Sequence, residues 1–446
     1  MNLKEKIVLL LLASINFTHI LDFMIMMPLG NYLMPYFNIS SQQFSMLVAA
    51  YTFSAGIAGF LAAFFVDNFD RKKVLLFGYT GFLIGTLCCA LSPTYTILLS
   101  SRIIAGIFGG LIGAQVLSIV ADLIPYERRG MAMGIIMAAF SVASVFGVPL
   151  GLYMANMFNW HGPFFFVAGF GAILLPILMR YLPRMDAHLK TNEARVNPIM
   201  LIREVGKDKD QLLALGLSAT LMLGHFLIIP FLNPFMEFNM GFSKLQTPMM
   251  YMAGGALTLV TSPLIGRLAD RIGKHKLFVI MALISIIPIA LITNLPVMPF
   301  YLVLCITGFW FVVSSGRMIP AQAMVSNVVA SERRGSFMSF NSSIQQIFVG
   351  LASVIAGLII VKNPDNSIQN YEVTGYISIV ITLLSLIFVF RLNTRLKAKL
   401  SDESLSKNIR ETLPPDKTIP ADPLMPKATA IKTRIRKNFN IRNPSS

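Results

Sequence analysis

The sequence predicts an all-α membrane protein with twelve transmembrane helices in two pseudo-symmetric six-helix bundles. Three observations predict this class: an apolar composition, recurrent runs of membrane-spanning length, and an internal repeat. Of 446 residues, 55% are hydrophobic and only 13% are charged, and the mean hydropathy is +0.67. Soluble domains keep about a quarter of their residues charged. A lipid bilayer is therefore the expected solvent.

Apolar runs of about 20 residues, each long enough to cross a bilayer core, recur twelve times along the chain. The predicted spans are Ile7–Leu33, Phe44–Val66, Val74–Ser92, Tyr95–Leu123, Met131–Ala155, Pro163–Tyr181, Gln211–Phe238, Pro248–Ile265, Leu277–Thr293, Val297–Val328, Ser336–Val361 and Thr374–Phe390. We therefore predict a first bundle at 1–181, a polar cytoplasmic linker at 182–210, a second bundle at 211–390 and a basic, disordered tail at 391–446.

The basic residues predict the orientation of these spans. The formal net charge is +16, yet the Lys and Arg residues lie in the tail and in the short loops of one side rather than in a nucleic-acid-binding patch. Loops on the other side hold only Lys244 and Lys362. Cytoplasmic loops carry the excess of Lys and Arg. We expect a multi-pass protein of the bacterial inner (cell) membrane, in contact with lipid and not with nucleic acid, with both termini cytoplasmic.

Two loop motifs repeat between the halves. Asp67–Lys73 follows the second span and Asp270–Lys276 follows the eighth, an offset of 203 positions from 67 to 270. Glu127–Gly130 follows the fourth span and Glu332–Gly335 follows the tenth, an offset of 205 positions from 127 to 332. Two matches at nearly the same offset indicate that one six-helix unit was duplicated.

These motifs carry a family resemblance. The loop Gly266–Lys274 reads Gly-Arg-Leu-Ala-Asp-Arg-Ile-Gly-Lys and is similar to the signature loop between the second and third helices of major facilitator transporters. The first-half copy departs from that pattern at Ala63, Asn68 and Asp70. The resemblance implies the major facilitator fold, in which the first, fourth, seventh and tenth helices line a central cavity.

Two further motifs in the first half resemble those of one branch of this family. Leu98-x3-Arg102-x3-Gly106 is similar to the fourth-helix arginine motif. The segment Gly147–Gly151, with Pro149 at its centre, resembles the fifth-helix signature of the drug:proton antiporters. The resemblance implies a proton-coupled antiporter. Because a helix breaker among small residues permits both bending and close packing, Gly147, Pro149 and Gly151 form either a helix pivot or a tight packing face.

Acidic residues at the cytoplasmic helix ends predict a gate. Asp67 and Asp270 each lie where a helix ends beside a basic loop. We expect Asp122 to be a second acceptor, either for Arg71 or for Arg128 and Arg129. Such contacts can form in one conformation and break in another. The alternative is that the basic loops serve topology alone. The predicted gating residues are Asp67, Arg71, Asp122, Gly266, Asp270, Arg271, Gly273 and Lys274.

Charged residues within the predicted spans are the candidate coupling residues, because an ionised side chain at the bilayer centre costs about 2.5 kcal/mol or more. Asp22 lies about 22 Å from the cytoplasmic end of the first span, and Arg102 about 10 Å from the opposite end of the fourth. These depths coincide. We predict a buried pair in which Asp22 takes up a proton when Arg102 is drawn away.

Three more residues are candidate substrate ligands. Arg317, His225 and His19 fall within the tenth, seventh and first spans, and we expect Arg317 and His225 to share the layer of Asp22 and Arg102. An arginine without an acidic partner in its own helix suits a carboxylate or phosphate, which indicates an anionic or zwitterionic solute. A competing hypothesis is an adaptable apolar pocket for lipophilic drugs, formed by Phe23 and nearby methionines. Each histidine alone also fits a packing role.

The combined prediction is a proton-coupled secondary transporter that exports a small organic solute, either drug-like or an anionic metabolite, as a monomer. A proton-coupled importer of an organic anion is the alternative, and a membrane-embedded enzyme or receptor is a more remote one. Gly266–Lys274 lacks the spacing of a nucleotide-binding loop. Cys88, Cys89 and Cys305 lack metal or redox spacing. We therefore expect no cofactor, no metal and no enzymatic activity.

Overall fold

The computed structural model describes residues 3–62, 69–124, 129–185, 203, 205–329 and 334–412. The chain divides into two units, Met1–Thr394 and Arg395–Ser446, and all contacts below lie within the first unit. In the described part of the chain, twelve helices are long and apolar enough to cross a membrane. The prediction of twelve spans is therefore confirmed.

Eight helices form the first half of the chain. Their bounds are α1 Leu3–Met26, α2 Gly30–Tyr36, α3 Ser41–Ala62, α4 Arg71–Ala90, α5 Tyr95–Leu123, α6 Arg129–Val142, α7 Val148–Phe158 and α8 His161–Tyr181. A π-helical turn, Ala143–Gly147, joins α6 to α7 within one span. Single π-helical turns bend a helix, and this one lies directly before Pro149.

Seven helices and a short hairpin form the second half. The helices are α9 Lys209–Phe226, α10 Ile229–Pro234, α11 Gln246–Ile272, α12 Lys274–Thr293, α13 Phe300–Ser326, α14 Arg334–Ile359 and α15 Tyr371–Thr412. The strands β1 Val361–Lys362 and β2 Ile368–Gln369 pair antiparallel between α14 and α15. A second π-helical turn, Phe235–Asn239, follows α10.

The first span of each half is interrupted: the helix of the predicted span Ile7–Leu33 ends at Met26, and the span Gln211–Phe238 is confirmed but contains a break. Proline lacks an N–H donor and clashes with the preceding helical turn. Pro28 separates α1 from α2, and Pro230 follows the break between α9 and α10. We call the end of the bundle where α1 begins the proximal end and the opposite end the distal end. Both breaks lie at the distal end.

Glycines allow the two halves to pack closely where α3 meets α14. A Cβ atom at Gly350 would lie 2.7 Å from Oγ1 of Thr52, and one at Gly56 would lie 3.0 Å from the Ile347 side chain. A Cβ atom at Gly357, nearer the distal end, would collide with Ser45. Small residues permit this approach of helix backbones in a membrane, so the two halves are in direct contact along α3 and α14.

The last helix is longer than its predicted span. It continues past Phe390 to Thr412, because residues 391–412 contain no Gly or Pro and are rich in Leu, Lys, Arg and Ser, most of which are good helix formers. The remaining part of the predicted disordered tail, 413–446, lies outside the described residues, as does most of the predicted linker at 182–210.

Candidate functional site

The first half buries one ion pair completely. Asp22 lies in the last turns of α1 and Arg102 in the second turn of α5. Arg102 Nη1 lies 2.7 Å from Asp22 Oδ2, and both side chains are 0% exposed. The predicted contact between the two residues is therefore present, while its role in proton coupling stays a prediction.

Neighbouring helices hold both members of this pair. Thr86 Oγ1 of α4 donates to Asp22 Oδ1 at 3.2 Å. The Tyr51 ring of α3 lies under the guanidinium, with its centroid 4.3 Å from Arg102 Cζ. A cation over an aromatic face is stabilised by the quadrupole of the ring. Arg102 therefore has a second favourable neighbour besides the carboxylate.

His19 lies on the margin of this cluster. Its ring centroid is 6.2 Å from that of Tyr51 and 5.8 Å from that of Phe82. Neither ring nitrogen of His19 has a hydrogen-bond partner. A Cβ atom at Gly109 would lie 3.0 Å from His19 Nε2, so the absence of a side chain on α5 makes room for the imidazole beside the ion pair.

The second half buries an arginine in a different way. Arg317 in α13 is 1% exposed, and its Nη1 donates to Thr382 Oγ1 of α15 at 2.9 Å. Its Nε and Nη2 have no partner. No carboxylate of the described residues forms an ion pair with it. Among the described residues, the only observed hydrogen-bond partner of the Arg317 guanidinium is therefore a hydroxyl group.

Two other unpartnered polar side chains precede Arg317 on α13. Trp310, Ser314 and Arg317 follow one another at intervals of four and three residues, a spacing that places them on one helix face. Trp310 Nε1 and Ser314 Oγ have no hydrogen-bond partner, and the two side chains are 0% and 4% exposed. We call these three residues the donor stripe.

A chain of ring contacts connects the Arg102 site with the donor stripe. Tyr51 stacks on Phe23 at 5.9 Å between centroids, and Phe23 lies 5.9 Å from Phe226 across the two halves. His225 lies 5.4 Å from Phe226 and stacks on Trp310 at 5.2 Å. We call Tyr51, Phe23, Phe226, His225 and Trp310 the aromatic bridge.

The expectation that Arg317 shares the layer of the ion pair is wrong. Arg102 lies about 10 Å along α5 from its distal start, whereas Arg317 lies about 25 Å along α13 from its distal start, at 1.5 Å per residue. No hydrogen bond or ion pair of the described side chains joins Arg317 to Asp22 or Arg102. The reason is that Arg317 lies 17 residues into α13, beyond the midpoint of a helix that runs from Phe300 to Ser326.

The predicted gating residues of the first half include one ion pair. Arg71 Nε lies 2.6 Å from Asp122 Oδ2, at side-chain exposures of 15% and 34%. Asp67 lies outside the described residues. Asp70, a departure from the family pattern, caps α4 by accepting from the Lys72 amide at 2.9 Å. Lys72 Nζ in turn donates to two carbonyls at the end of α8.

The predicted gating residues of the second half lie at the junction of α11 and α12. Gly266, Asp270 and Arg271 belong to the last turns of α11, and Lys274 begins α12. Gly273 has φ of +97°, a conformation that strongly favours glycine at a helix C-terminus. Among the described side chains, no ion pair links these residues to the first half. Their gating role stays a prediction.

The residues of the predicted pivot meet α1. A Cβ atom at Gly147 would lie 2.8 Å from Cδ1 of Leu21, and one at Gly151 would lie 2.6 Å from Cδ1 of Ile25. Pro149 lies at the start of α7, directly after the π-helical turn. The segment therefore combines a local change of helix geometry with close packing, and its function as a pivot stays a prediction.

Hydrogen bonds between the halves close the distal end, a feature that the sequence analysis missed. Asn233 Nδ2 donates to the carbonyl of Pro28 at 2.7 Å and to Asn31 Oδ1 at 2.8 Å. Asn31 Nδ2 donates to Glu237. Pro28-x2-Asn31 recurs as Pro230-x2-Asn233, an offset of 202 positions from 31 to 233. This repeat in the sequence could have predicted the contact. In the structure, the equivalent residues Asn31 and Asn233 of the two halves meet.

Two lysines also join the halves at the distal end. Lys244 Nζ lies 4.7 Å from the centroid of the Tyr32 ring, and the Lys244 carbonyl accepts from Asn156 Nδ2 at 2.9 Å. Lys362 Nζ donates to the Met34 carbonyl at 3.2 Å, and burial lowers the pKa of this lysine below its usual value. These are the two lysines that the sequence places in the loops of the distal side, and both contact the opposite half.

Twelve membrane-spanning helices in two repeat-related halves, packed around buried charges, define a polytopic transport protein. The chain belongs to the Major Facilitator Superfamily, whose family model matches residues 12–316 and 214–438. It is therefore a multi-pass membrane transporter of small molecules and not an enzyme.

Individual relatives have low sequence identity to this chain but match it over more than half of its length. The chain is 25% identical to the uncharacterized MFS-type transporter YceJ of Bacillus subtilis (strain 168), over 84% of this chain and 93% of the relative. It is 23% identical to a probable sugar efflux transporter of Helicobacter pylori (strain J99 / ATCC 700824), over 56% and 62%. An inward-facing crystal structure of a bacterial homolog to the human lysosomal transporter Spinster superposes with a TM-score of 0.71 at 16% identity, covering 88% and 97%. That structure supports the fold.

Proposed function

We propose that this chain is a proton-coupled secondary transporter that exports a small organic solute across the bacterial inner membrane by alternating access. The observation that carries the proposal is the Asp22–Arg102 pair, because both side chains are 0% exposed within a membrane-spanning bundle. Burying two charges costs several kcal/mol for each ion before their attraction is counted. Intramembrane ionisable residues of this kind commonly serve ion pathways.

Protonation would change what this pair does. A proton on Asp22 removes the negative charge that faces Arg102, while the hydrogen bond from Thr86 remains available to the neutral carboxyl group. The Tyr51 ring, 4.3 Å from the guanidinium, continues to stabilise the cation. Arg102 is then free to move relative to α1, and α1 contacts the second half through Phe23 and Phe226. The protonation state of Asp22 thereby influences how the halves meet.

The distal contacts fit alternating access. Hydrogen bonds of Asn31 and Asn233 join the halves at the distal end, so the end that must open to admit protons is the closed one here. We propose that the distal end faces the periplasm and that both termini are cytoplasmic. The excess of basic residues in the proximal loops supports this orientation.

Export is the preferred direction for two reasons. The Gly147–Gly151 segment resembles the signature of drug:proton antiporters, and one relative carries the name of a probable sugar efflux transporter. An importer driven by proton symport is the alternative. In everted membrane vesicles, an acidic interior drives uptake by an antiporter, whereas a symporter would release solute under the same gradient.

The coupling test uses the full chain in proteoliposomes with a pH-sensitive dye and a panel of organic acids, sugars and cationic dyes. We expect Asp22→Asn to abolish solute-dependent proton flux and to retain solute exchange without a gradient, since the neutral side chain cannot release a proton. Asp365→Asn, the same change at an exposed distal aspartate, should behave as wild type. Intact gradient-driven transport in Asp22→Asn would refute the role of Asp22.

The distal contacts allow a separate conformational test. Asn233→Ala removes two hydrogen bonds between the halves, together worth about 1–3 kcal/mol, and should raise the distal-open population. Spin labels at exposed Pro93 and Leu245, in a cysteine-free background, would report longer distances. Asn294→Ala is the control, because Asn294 bonds only within its own half. Unchanged distances in Asn233→Ala would show that these hydrogen bonds do not hold the distal end closed.

A further inference from the structure

The donor stripe of α13 has the chemistry of a ligand site. Trp310 Nε1, Ser314 Oγ, and Nε and Nη2 of Arg317 are all buried, and none has a hydrogen-bond partner in the part of the chain that the structure describes. Each of these groups is a hydrogen-bond donor, and three of the four atoms cannot accept at all. Buried polar groups are nearly always paired in native structures. A row of unpaired donors on one helix face therefore calls for an acceptor from outside the chain.

The free edge of Arg317 specifies the shape of that acceptor. Its Nη1 is occupied by Thr382, which leaves Nε and Nη2, the two N–H groups that point to the same side of the guanidinium plane. This edge matches the two oxygens of a carboxylate in a bidentate pair. Ser314 lies one turn earlier on the same face, and helical side chains lean towards the helix N-terminus, which brings the guanidinium towards the Ser314 hydroxyl.

Charge leads to the same class of ligand. Asp22 and Arg102 neutralise each other, whereas Arg317 has no ion-pair partner among the described residues. An uncompensated buried charge is costly. A bound monoanion supplies the missing countercharge, and a neutral or cationic ligand does not.

The rings of the aromatic bridge indicate the chemistry of the rest of the ligand. Trp310 lies about 10 Å from Arg317 along the helix axis, and its ring stacks on His225 at 5.2 Å. These two faces already pack against each other, so the parts of the rings left for a ligand are their edges, which favour an aromatic group in an edge-to-face arrangement. A carboxylate joined to an aromatic ring by a short linker spans this interval.

We infer that Arg317 and Ser314 bind the carboxylate of an aromatic organic acid whose ring lies beside Trp310, and that such acids are the substrate class of this transporter. The inference rests on the proposed transport function and narrows its solute to organic carboxylates. Arg317 is the specificity-determining residue, Ser314 adds a hydrogen bond, and Trp310 with His225 contacts the ring.

Tryptophan fluorescence can report binding at this site directly. The chain has two tryptophans, so Trp160→Phe leaves Trp310 as the only fluorophore of this type. The probes are benzoate, phenylacetate and 3-phenylpropionate, each compared with its own amide. We expect at least one acid to change Trp310 emission saturably, with a half-saturation concentration about 10-fold or more below that of its amide. No such preference up to about 10 mM of any acid would overturn the inference.

Variants of Arg317 test whether its Nε and Nη2 edge binds the carboxylate. Arg317→Gln should raise the half-saturation concentration about 10- to 100-fold for the preferred acid and leave its amide unaffected. Arg317→Lys should recover part of the loss, because it keeps the charge without the bidentate edge. Arg180→Gln, at an exposed position of α8, is the matched control. Equal binding of the acid by wild type and a folded Arg317→Gln variant would overturn the assignment.

The Asp22→Asn variant separates this inference from the proposed function. It should bind the preferred acid within about twofold of wild type while losing proton-driven flux, because the pair does not contact Arg317. If proton coupling is intact but acids bind no better than amides, the substrate class is wrong and the transport proposal stands. If acid binding depends on Arg317 but no solute moves protons, the coupling proposal fails and the ligand site stands.

Discussion

The two halves of the molecule each bury one arginine, and they treat its charge differently. Arg102 faces Asp22 at 2.7 Å and the Tyr51 ring at 4.3 Å. Arg317 faces a threonine hydroxyl at 2.9 Å and leaves two donors unpaired. The first arrangement is internally neutral, and the second requires an external anion. Under the functions proposed above, the proton is handled in one half and the solute in the other.

Removal of Arg102 should have the largest effect on stability. Arg102→Met leaves Asp22 buried without a counter-ion and should lower the free energy of unfolding by about 3–5 kcal/mol. The double variant Asp22→Asn/Arg102→Met removes both charges and should recover most of that loss. SDS titration of the protein in mixed micelles measures both values. Equal losses in the single and double variants would show that the two residues do not depend on each other.

Removal of Arg317 should change stability in the opposite direction. Arg317→Met replaces an uncompensated buried cation with an apolar side chain and should raise the free energy of unfolding by about 2 kcal/mol in the absence of ligand. The same SDS titration applies, with Arg180→Met as the exposed control. A loss as large as that of Arg102→Met would mean that Arg317 already has a countercharge, and the contrast between the halves would disappear.

The Tyr51 ring should contribute a smaller amount, and only while Arg102 is present. A desolvated cation–π contact is worth about 1–2 kcal/mol. A double-mutant cycle of Tyr51→Leu with Arg102→Met measures this coupling. Tyr51→Phe, which keeps the ring and removes a hydroxyl group without a partner, should be close to neutral. A coupling energy near zero would show that the ring only fills space beside the guanidinium.

The Arg71–Asp122 pair should contribute least, although its 2.6 Å contact is as short as that of the buried pair. Side-chain exposures of 15% and 34% allow water and salt to screen the charges. Asp122→Asn should change the free energy of unfolding by about 0.5 kcal/mol, and less at high salt. A loss of the size expected for Arg102→Met would show that distance rather than burial decides the strength of these pairs.

Much of the fold could be predicted from local patterns. Apolar runs of sufficient length must become helices in a bilayer, since every backbone polar group needs a partner within its own segment. The motifs at Asp67 and Asp270 indicated the duplication, and Gly273 occupies a left-handed position that glycine suits best. The breaks at Pro28 and Pro230 were missed because hydrophobicity continues through both segments, while the backbone hydrogen bonding does not.

Some contacts of the candidate site could be predicted from the sequence and others could not. Matching depths placed Asp22 opposite Arg102, because a helix converts residue number into distance along its axis. For Arg317 a position near the middle of a long span was a poorer guide, because its depth follows from its place 17 residues into α13. The spacing of Trp310, Ser314 and Arg317 on one helix face can be predicted from the sequence of α13 alone. Whether these donors have hydrogen-bond partners depends on the side chains of the neighbouring helices.

The sequence by itself determined that this chain spans a membrane twelve times, repeats one six-helix unit and carries a few charges within the hydrocarbon region, because each of these properties is local. Only the tertiary structure decided that the Tyr51 ring lies under Arg102, that Asn31 pairs with its repeat equivalent Asn233, and that Arg317 lacks a counter-ion among the described residues. Those facts depend on side chains from helices far apart in the chain, and packing alone brings such helices together or keeps them apart.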